Sequence, residues 1–357
     1  MGILGTPLGW IMKWIYDFLF HFNIAGAYGW ALVLFILLTK LLTYPLSVKQ
    51  QKSTARMAAF QPKLKQLEKQ YGKDKNRYQQ EMMKLYEEEG INPMNGCLPM
   101  VVTFLLLFGI IDVIYNPLKH LLQVPADLIQ EATQILGRAT STAQLEIISA
   151  IQNGSTAYDG LFDGSIMEQI QNFDMNFLGF NMGEIPNQVW GLLVIIPIVS
   201  FLTQIVSTLV SMKVQEKNGQ KMQGGMKWFM LAMPLMSLWI AFTLPAGVGF
   251  YWIVSNLLMI LQTLLLAKLY PPEKVAAMSS KSIEKTRAKM RKKREQMEIY
   301  QKRMEEKGMS PVKAAASAAQ HMDRSNEHQK EKELAKSRLA EARRKMAEKY
   351  GDDYKED

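Results

Sequence analysis

From Tyr28 to Lys49 the chain reads YGWALVLFILLTKLLTYPLSVK, an apolar run long enough to cross a bilayer that carries one lysine, Lys40, near its middle. A span takes about 20 apolar residues at about 1.5 Å each, so Lys40 lies roughly 16 Å along the helix from Gly29 and roughly 13 Å from Lys49. A cation at that depth must snorkel to the interface, meet an acid, or face water inside the protein. The rest of the sequence is weighed against those three outcomes.

Of the 357 residues 48% are apolar, with 42 Lys+Arg against 33 Asp+Glu, yet charge is sparse in several apolar runs and dense after residue 270. That distribution predicts an all-α polytopic membrane protein with a basic soluble tail, in preference to a globular protein with an unusually apolar core. The single cysteine, Cys97, excludes an internal disulfide framework and a cysteine metal site, and His21, His120, His321 and His328 all lie outside the apolar runs. No HExxH, GxSG or GxxxxGK[ST] pattern occurs and no carboxylate dyad falls on facing spans, so no catalysis, cofactor or metal is expected.

The chain begins without a conventional cleavable signal: its apolar residues are interrupted by Lys13, Asp17 and His21. Leu8, Ile11, Ile15, Phe18, Leu19 and Phe22 fall near one helical face, with Trp10 and Trp14 suited to a headgroup boundary. Residues 1–26 are therefore expected to hold an amphipathic helix, over 7–22, lying on the membrane. The first span covers 27–48, with Pro45 setting a kink or an early end. Residues 49–95, with ten Lys/Arg, form a hydrophilic helical hairpin of Gln50–Gln70 and Asn76–Glu89, each helix carrying a thin apolar stripe (Leu64, Leu67, Tyr71; Tyr78, Met82, Leu85).

A second span covers 96–115, with Asp112 near its far end. Residues 116–187 carry eight acids against Lys119 and Arg138, with one helix expected from Ala126 to Gln152. The third span, 188–211, is interrupted by Pro197, and loop 212–227 has four lysines against one acid. Spans four and five, 228–246 and 247–269, are joined by the tight turn LPAG and are expected to form an antiparallel hairpin. Basic loops belong inside and the acidic loop outside, which predicts five spans with the N-terminus outside and the C-terminus inside. The tail, 270–357, contains 23 Lys/Arg and 16 Asp/Glu after residue 270, with helical stretches such as Lys281–Glu306 and Glu327–Lys349. It suits an anionic lipid surface or the phosphates of a ribosome, or it merely solubilises; no RNP, KH or zinc-finger pattern is present and no DNA partner is expected.

Polar residues recur inside the spans. Ser200, Gln204, Ser207 and Ser211 share a face of the third; Ser255 and Gln262 share one on the fifth, with Asn256 beside them; Thr39 and Thr43 flank Lys40 on the first. Each set alone reads as helix–helix glue or as hydroxyls bonded to their own backbone. Together they predict a wet recess lined by hydroxyls, amides and one ammonium, with no acid at mid-depth to neutralise it. Met222, Met226, Met230, Met233 and Met236 around the fourth span suit varied apolar partners or ordinary packing.

The motifs TKLLTYPLSVKQQKSTARMAAFQPKLKQLEKQYG, INPMNGCLPM, NFDMNFLGFNMGEIP and LPAGVGFYWIVSNLLMILQ resemble the YidC/Oxa1/Alb3 family of membrane protein insertases in its Gram-positive bacterial form, over roughly residues 7–270. The resemblance implies a protein of the bacterial plasma membrane with five spans, a cytoplasmic hairpin at residues 50–90, and a groove open to the cytoplasm and the lipid bilayer. It also implies nascent membrane proteins as clients, taken alone or beside the Sec translocon and often during synthesis on the ribosome. Lys40 stands where the family has its groove cation, usually arginine; lysine keeps the charge and loses the bidentate fork. Two departures stand out: no acylated cysteine is visible at the start, and residues 118–175 look longer than the usual external loop. Two other readings remain beside the insertase: a structural ribosome-docking or assembly factor, and a small-solute channel or transporter, which would call for paired mid-depth charges or inverted repeats.

Overall fold

The computed structural model describes residues 2–88, 98–189, 191–218 and 224–310, with scattered positions between 313 and 346. Its contacts divide the chain into two units, Met1–Gln79 with Ile91–Ser279, and Gln80–Gly90 with Ser280–Asp357. Helix dominates the described residues of both.

In the first unit α1 (Gly2–His21) packs against α5 (Leu98–Tyr115) and α2 (Ala27–Ala59). Its inward face is Leu8, Met12, Tyr16 and Leu19, while Trp10, Trp14, Phe18 and Phe22 are exposed at steps of four. The helix therefore has two apolar faces, and the single face expected for it mixed them: Leu8 and Leu19 bury, Phe18 and Phe22 do not. Gly5 lies against Asp112 of α5 and Gly9 against His120 just beyond that helix, and neither leaves room for a Cβ; one at Gly9 would stand 2.6 Å from His120.

The helix α2 runs unbroken for 33 residues through Pro45, so the early end expected there does not occur. Pro45 has no N–H to give the Leu41 carbonyl and its ring crowds that carbonyl, yet the helix continues through it. The break comes instead at Phe60, one residue before α3 (Gln61–Tyr71), whose second residue is Pro62. Pro62 fits without cost in the first turn of α3, where its missing N–H would go unused, and the break at Phe60 divides the expected Gln50–Gln70 helix. Next comes α4 (Lys75–Glu88). Of the two expected hairpin stripes, Leu64 is buried and Leu67, Tyr71, Tyr78, Met82 and Leu85 are half-buried. Cys97 and the rest of 89–97 lie outside the described residues.

The segment expected as an acidic loop is a small folded layer: α6 (Pro117–His120), α7 (Ala126–Leu136), α8 (Ala143–Gln152), α9 (Gly164–Gln171), and a two-stranded hairpin, β1 (Asn176–Phe177) with β2 (Phe180–Asn181). The single helix expected over 126–152 ends at Gly137, whose φ of +74° is the left-handed C-cap that glycine adopts without strain. Leu118, Leu121, Ile147, Ile148, Ile170 and Phe173 bury together with the upper parts of α1, α2 and α5 in one continuous core. Gln152 Nε2 ties the layer by donating to the carbonyls of Ile170 (3.0 Å) and Phe173 (2.8 Å).

Three more apolar helices follow: α10 (Ile195–Lys217), α11 (Gly224–Thr243) and α12 (Ala246–Leu269). Pro197 occupies the first turn of α10 and interrupts nothing. Despite the short turn between them, α11 and α12 make little mutual contact; both pack chiefly on α10, so the expected hairpin of spans four and five is splayed. Three helices are long and apolar enough to cross a membrane, Ala27–Ala58, Leu192–Lys217 and Ala246–Leu269, while Val101–Tyr115 and Lys227–Thr243 are apolar but shorter. The helix α13 (Pro272–Glu306) leads into the basic tail. Met222 and most of Glu327–Lys349 lie outside the described residues.

Candidate functional site

On α2 the buried face passes through Leu32, Phe35, Ile36 and Thr39, and Lys40 sits at its edge, half-buried. Thr43, Ser47 and Gln51 continue that edge at steps of three or four, all half-buried. The hydroxyls bond within the helix: Thr39 Oγ1 donates to the Ile36 carbonyl (2.8 Å), Thr43 Oγ1 to that of Thr39 (2.8 Å) and Ser47 Oγ to that of Thr43 (3.3 Å). Their protons are thereby used while their oxygens still face outward as acceptors. Among the described residues the Lys40 ammonium has no carboxylate or hydrogen-bond partner.

Two aromatic contacts set the register of α2 against α12. Phe177, from the β-hairpin, meets Trp30 and Phe250 edge-on, each at 5.4 Å between ring centroids. At the other end Lys52 Nζ lies 4.8 Å above the Tyr270 ring. The two helices therefore run parallel, with Lys40 about 15 Å below the upper contact and about 18 Å above the lower one. Counting down from Phe250 (40 − 30 = 10) or up from Tyr270 (52 − 40 = 12) puts positions 258–260 of α12 at its level. Asn256 is then about one turn above Lys40, and Gln262 within about one turn below.

A second register joins α10 to α12. A Cβ on Gly249 would stand 2.8 Å from Ile196, and Asn256 Nδ2 donates to Thr203 Oγ1 at 3.3 Å. The offsets are the same (249 − 196 = 53; 256 − 203 = 53), so these helices too are parallel and meet every seven residues. Ser200 and Ser207 are buried at 4% exposure, Asn256 at 6% and Thr39 at 8%, which places four of the nine expected recess residues in protein-packed surroundings. Gln204, Ser255 and Gln262 are half-buried, and Ser255 shares a side-chain hydrogen bond with Tyr251. Thr203 was passed over in the sequence although it follows Ser200 by three; Ser47 and Gln51 were passed over although they extend the face of Lys40.

Both α2 and α10 pack on α12, and neither packs extensively on the other. Lys40 thus lies on one of two helices that share α12 as their common neighbour, with Thr39 and Thr43 beside it on α2. The Nε2 atoms of Gln51 and Gln262 are buried with no acceptor among the described residues. An ammonium and two free amides attract anions and carbonyl oxygens; they supply no acid–base pair for hydrolysis.

Two other features lie in the layer formed by residues 112–189. His120 Nε2 is 3.0 Å from Asp112 Oδ2, and burial pulls the imidazole below its usual value although the carboxylate works against that. A cavity of about 440 Å³ is lined by residues between Leu136 and Val189, among them Arg138, Glu146, Asn153 and Gln188, and includes no residue of the α2 stripe. Among the described residues no cluster of His, Cys, Asp and Glu could hold a metal ion.

Residues 19–274 match the family described as 60Kd inner membrane protein. The chain is 28% identical over 264 residues to membrane protein insertase YidC 2 of Listeria innocua, covering 73% of this chain and 69% of that relative. It is 42% identical over 110 residues to membrane protein insertase YidC of Xanthomonas campestris pv. campestris, 31% of this chain and 18% of that one.

Proposed function

The chain belongs to the 60Kd inner membrane protein family, and on that premise we propose that it is a membrane protein insertase and membrane chaperone of the bacterial plasma membrane. Its clients are nascent membrane proteins, guided into the lipid bilayer without catalysis. In this reading the five apolar helices are five spans, bounded at 27–48, 96–115, 188–211, 228–246 and 247–269, with the N-terminus outside; the basic loops 49–95 and 212–227 and the acidic segment 116–187 support that orientation. The basic tail, 270–357, docks the ribosome through phosphate contacts, and the Sec translocon is a second partner.

The observation that carries the mechanism is an ammonium midway along α2 with no carboxylate partner among the described residues, with unpartnered amides at Gln262 on α12 and Gln51 further along α2. A polar segment entering the bilayer loses water from each backbone group, at several kcal/mol per unsatisfied group. A recess containing Lys40, Thr39, Thr43, Gln204, Ser255 and Gln262 replaces part of that water, backed by the seam of Ser200, Ser207 and Asn256. Lys40 draws an acidic tail inward, and apolar side chains such as Leu41 and Leu42, 63% and 73% exposed, offer the emerging helix a path to lipid. The test is Lys40→Ala in cells depleted of their own insertase. Insertion of single-span proteins with acidic tails should fall while the variant accumulates normally; unimpaired insertion refutes the role of the recess.

A further inference from the structure

Four buried side-chain groups in this bundle have no partner among the described residues, Tyr28 Oη, Asn218 Nδ2, Gln51 Nε2 and Gln262 Nε2, and the last two lie on α2 and α12 at or below the level of Lys40. Gln51 Nε2 and Gln262 Nε2 are buried, and among the described residues neither reaches an acceptor. A buried amide N–H without a partner has given up its water for nothing, so two on the neighbouring helices α2 and α12 point to an acceptor from outside the chain. Gln51 follows Lys40 by eleven residues, three turns along the same face and about 16 Å toward the end of α2 marked by Lys52 and Tyr270. Gln262 falls between them in level, on the parallel helix α12. Thr43 and Ser47, which lie between Lys40 and Gln51, give their protons to carbonyls of α2. The free donors of this edge are therefore the ammonium at its upper end and two amides below it.

We infer that Gln262 and Gln51 bind main-chain carbonyl oxygens of a client segment that has not yet closed its helix. The inference rests on the insertase reading and deepens it. A carboxylate is drawn to the full charge of Lys40, whereas a neutral amide donor is matched to a neutral carbonyl. Every residue carries that carbonyl, so a site built on it accepts segments of any side-chain sequence. The carbonyl is also the group left without a partner when an unwound chain leaves water. An edge of about 16 Å faces about five residues of extended chain at about 3.3 Å each.

The test uses the full-length protein in vesicles and a fluorescent single-span peptide with an acidic tail. One backbone amide is replaced by an ester, which weakens the preceding carbonyl as an acceptor, and the replacement is moved through five consecutive positions. At one or two positions the ester should weaken binding about fivefold. In Gln51→Leu/Gln262→Leu the amide and ester peptides should bind alike, and Gln51→Met/Gln262→Met, which keeps the side-chain length, should repeat this should the leucine pair misfold. A penalty of the same size in parent and variant, or none in either, overturns the inference. Lipid ester carbonyls offer the same chemistry, so the series is repeated in vesicles of ether-linked lipid. An unchanged penalty there retains the client as the source; a glutamine dependence that appears only with ester lipids overturns it. Lys40→Ala separates the two readings: if it leaves binding and insertion intact while the glutamine effect persists, the Lys40 mechanism fails alone, and if it abolishes insertion while no glutamine effect exists, the present inference fails alone.

Discussion

Asn256 reaches across to Thr203 at the same 53-residue offset at which Gly249 lies against Ile196, so one hydrogen bond and one close approach fix α12 on α10 a heptad apart. Small and polar residues at such contacts let helix backbones approach where lipid offers no hydrophobic driving force between helices. Were that seam to slide, Ser200, Thr203 and Ser207 would change level against α12, while Gln262 kept the level relative to Lys40 that Phe177 and Tyr270 set.

Removing either partner of that bond should therefore loosen the bundle. Asn256→Ala and Thr203→Val are each expected to cost about 1 kcal/mol, and the double variant less than their sum, because the first change already leaves the second group unpaired. Unfolding of the purified protein in bicelles, measured as a double-mutant cycle, checks this. Strict additivity would show that the contact contributes nothing.

The pair His120 and Asp112 makes the layer that packs on α1 and α5 sensitive to acid. Burial holds the His120 imidazole below its usual value of 6.5 in the folded protein, so below that pH the unfolded chain binds the extra proton and the folded chain does not. Stability is then fully present above about pH 6.5 and is lost as pH falls through the lower, folded value. Melting temperature should decline between pH 7.5 and 5 in the parent and decline less in His120→Gln. Since Gly9 of α1 lies directly against His120, the first region to become protease-sensitive should be α1. A parallel decline in both proteins would place the acid response elsewhere.

Local chemistry made much of this architecture legible, and long-range contact decided the rest. Apolar length marked all five helices, and the i, i+4 spacing of Thr39 and Thr43 marked the face of Lys40. Turn chemistry was present but passed over: Pro62 and Gly137 end helices that periodicity alone runs together. The hairpin of Asn176–Asn181 has positive φ at Leu178 (53°) and Gly179 (85°), a turn that a leucine does not advertise. What no local pattern carries is the register of α2 on α12, because Phe177 and Tyr270 set it from distant parts of the chain. The splaying of α11 from α12 is of the same kind: a short turn fixes proximity at one end, while the partner of the remaining length is chosen by α10.

The tail offers a prediction that leaves the recess untouched. Residues 271–357 carry 23 Lys/Arg against 16 Asp/Glu, and phosphate binding by such a segment weakens steeply with salt through counterion release. Deleting 271–357 should reduce co-sedimentation with ribosomes at low salt and flatten its salt dependence. Sedimentation unchanged at low salt would assign ribosome contact to other parts of the chain.

Substituting Lys40 by its own kind separates charge from geometry. Neither guanidinium nor ammonium has a carboxylate to clamp at this position among the described residues, so the bidentate fork of arginine has no fixed partner there. Lys40→Arg should then insert acidic-tailed clients as the parent does. Lys40→Gln keeps a donor without charge and should lose them severalfold while sparing clients with neutral tails. Lys40→Glu should reject acidic tails more strongly than Lys40→Ala, because repulsion replaces mere absence of attraction. The measurement is the fraction of pulse-labelled client whose outer tail becomes protease-accessible, compared across acidic, neutral and basic tails. Equal losses for all three tails in every variant would show that position 40 supports the bundle instead of steering charge.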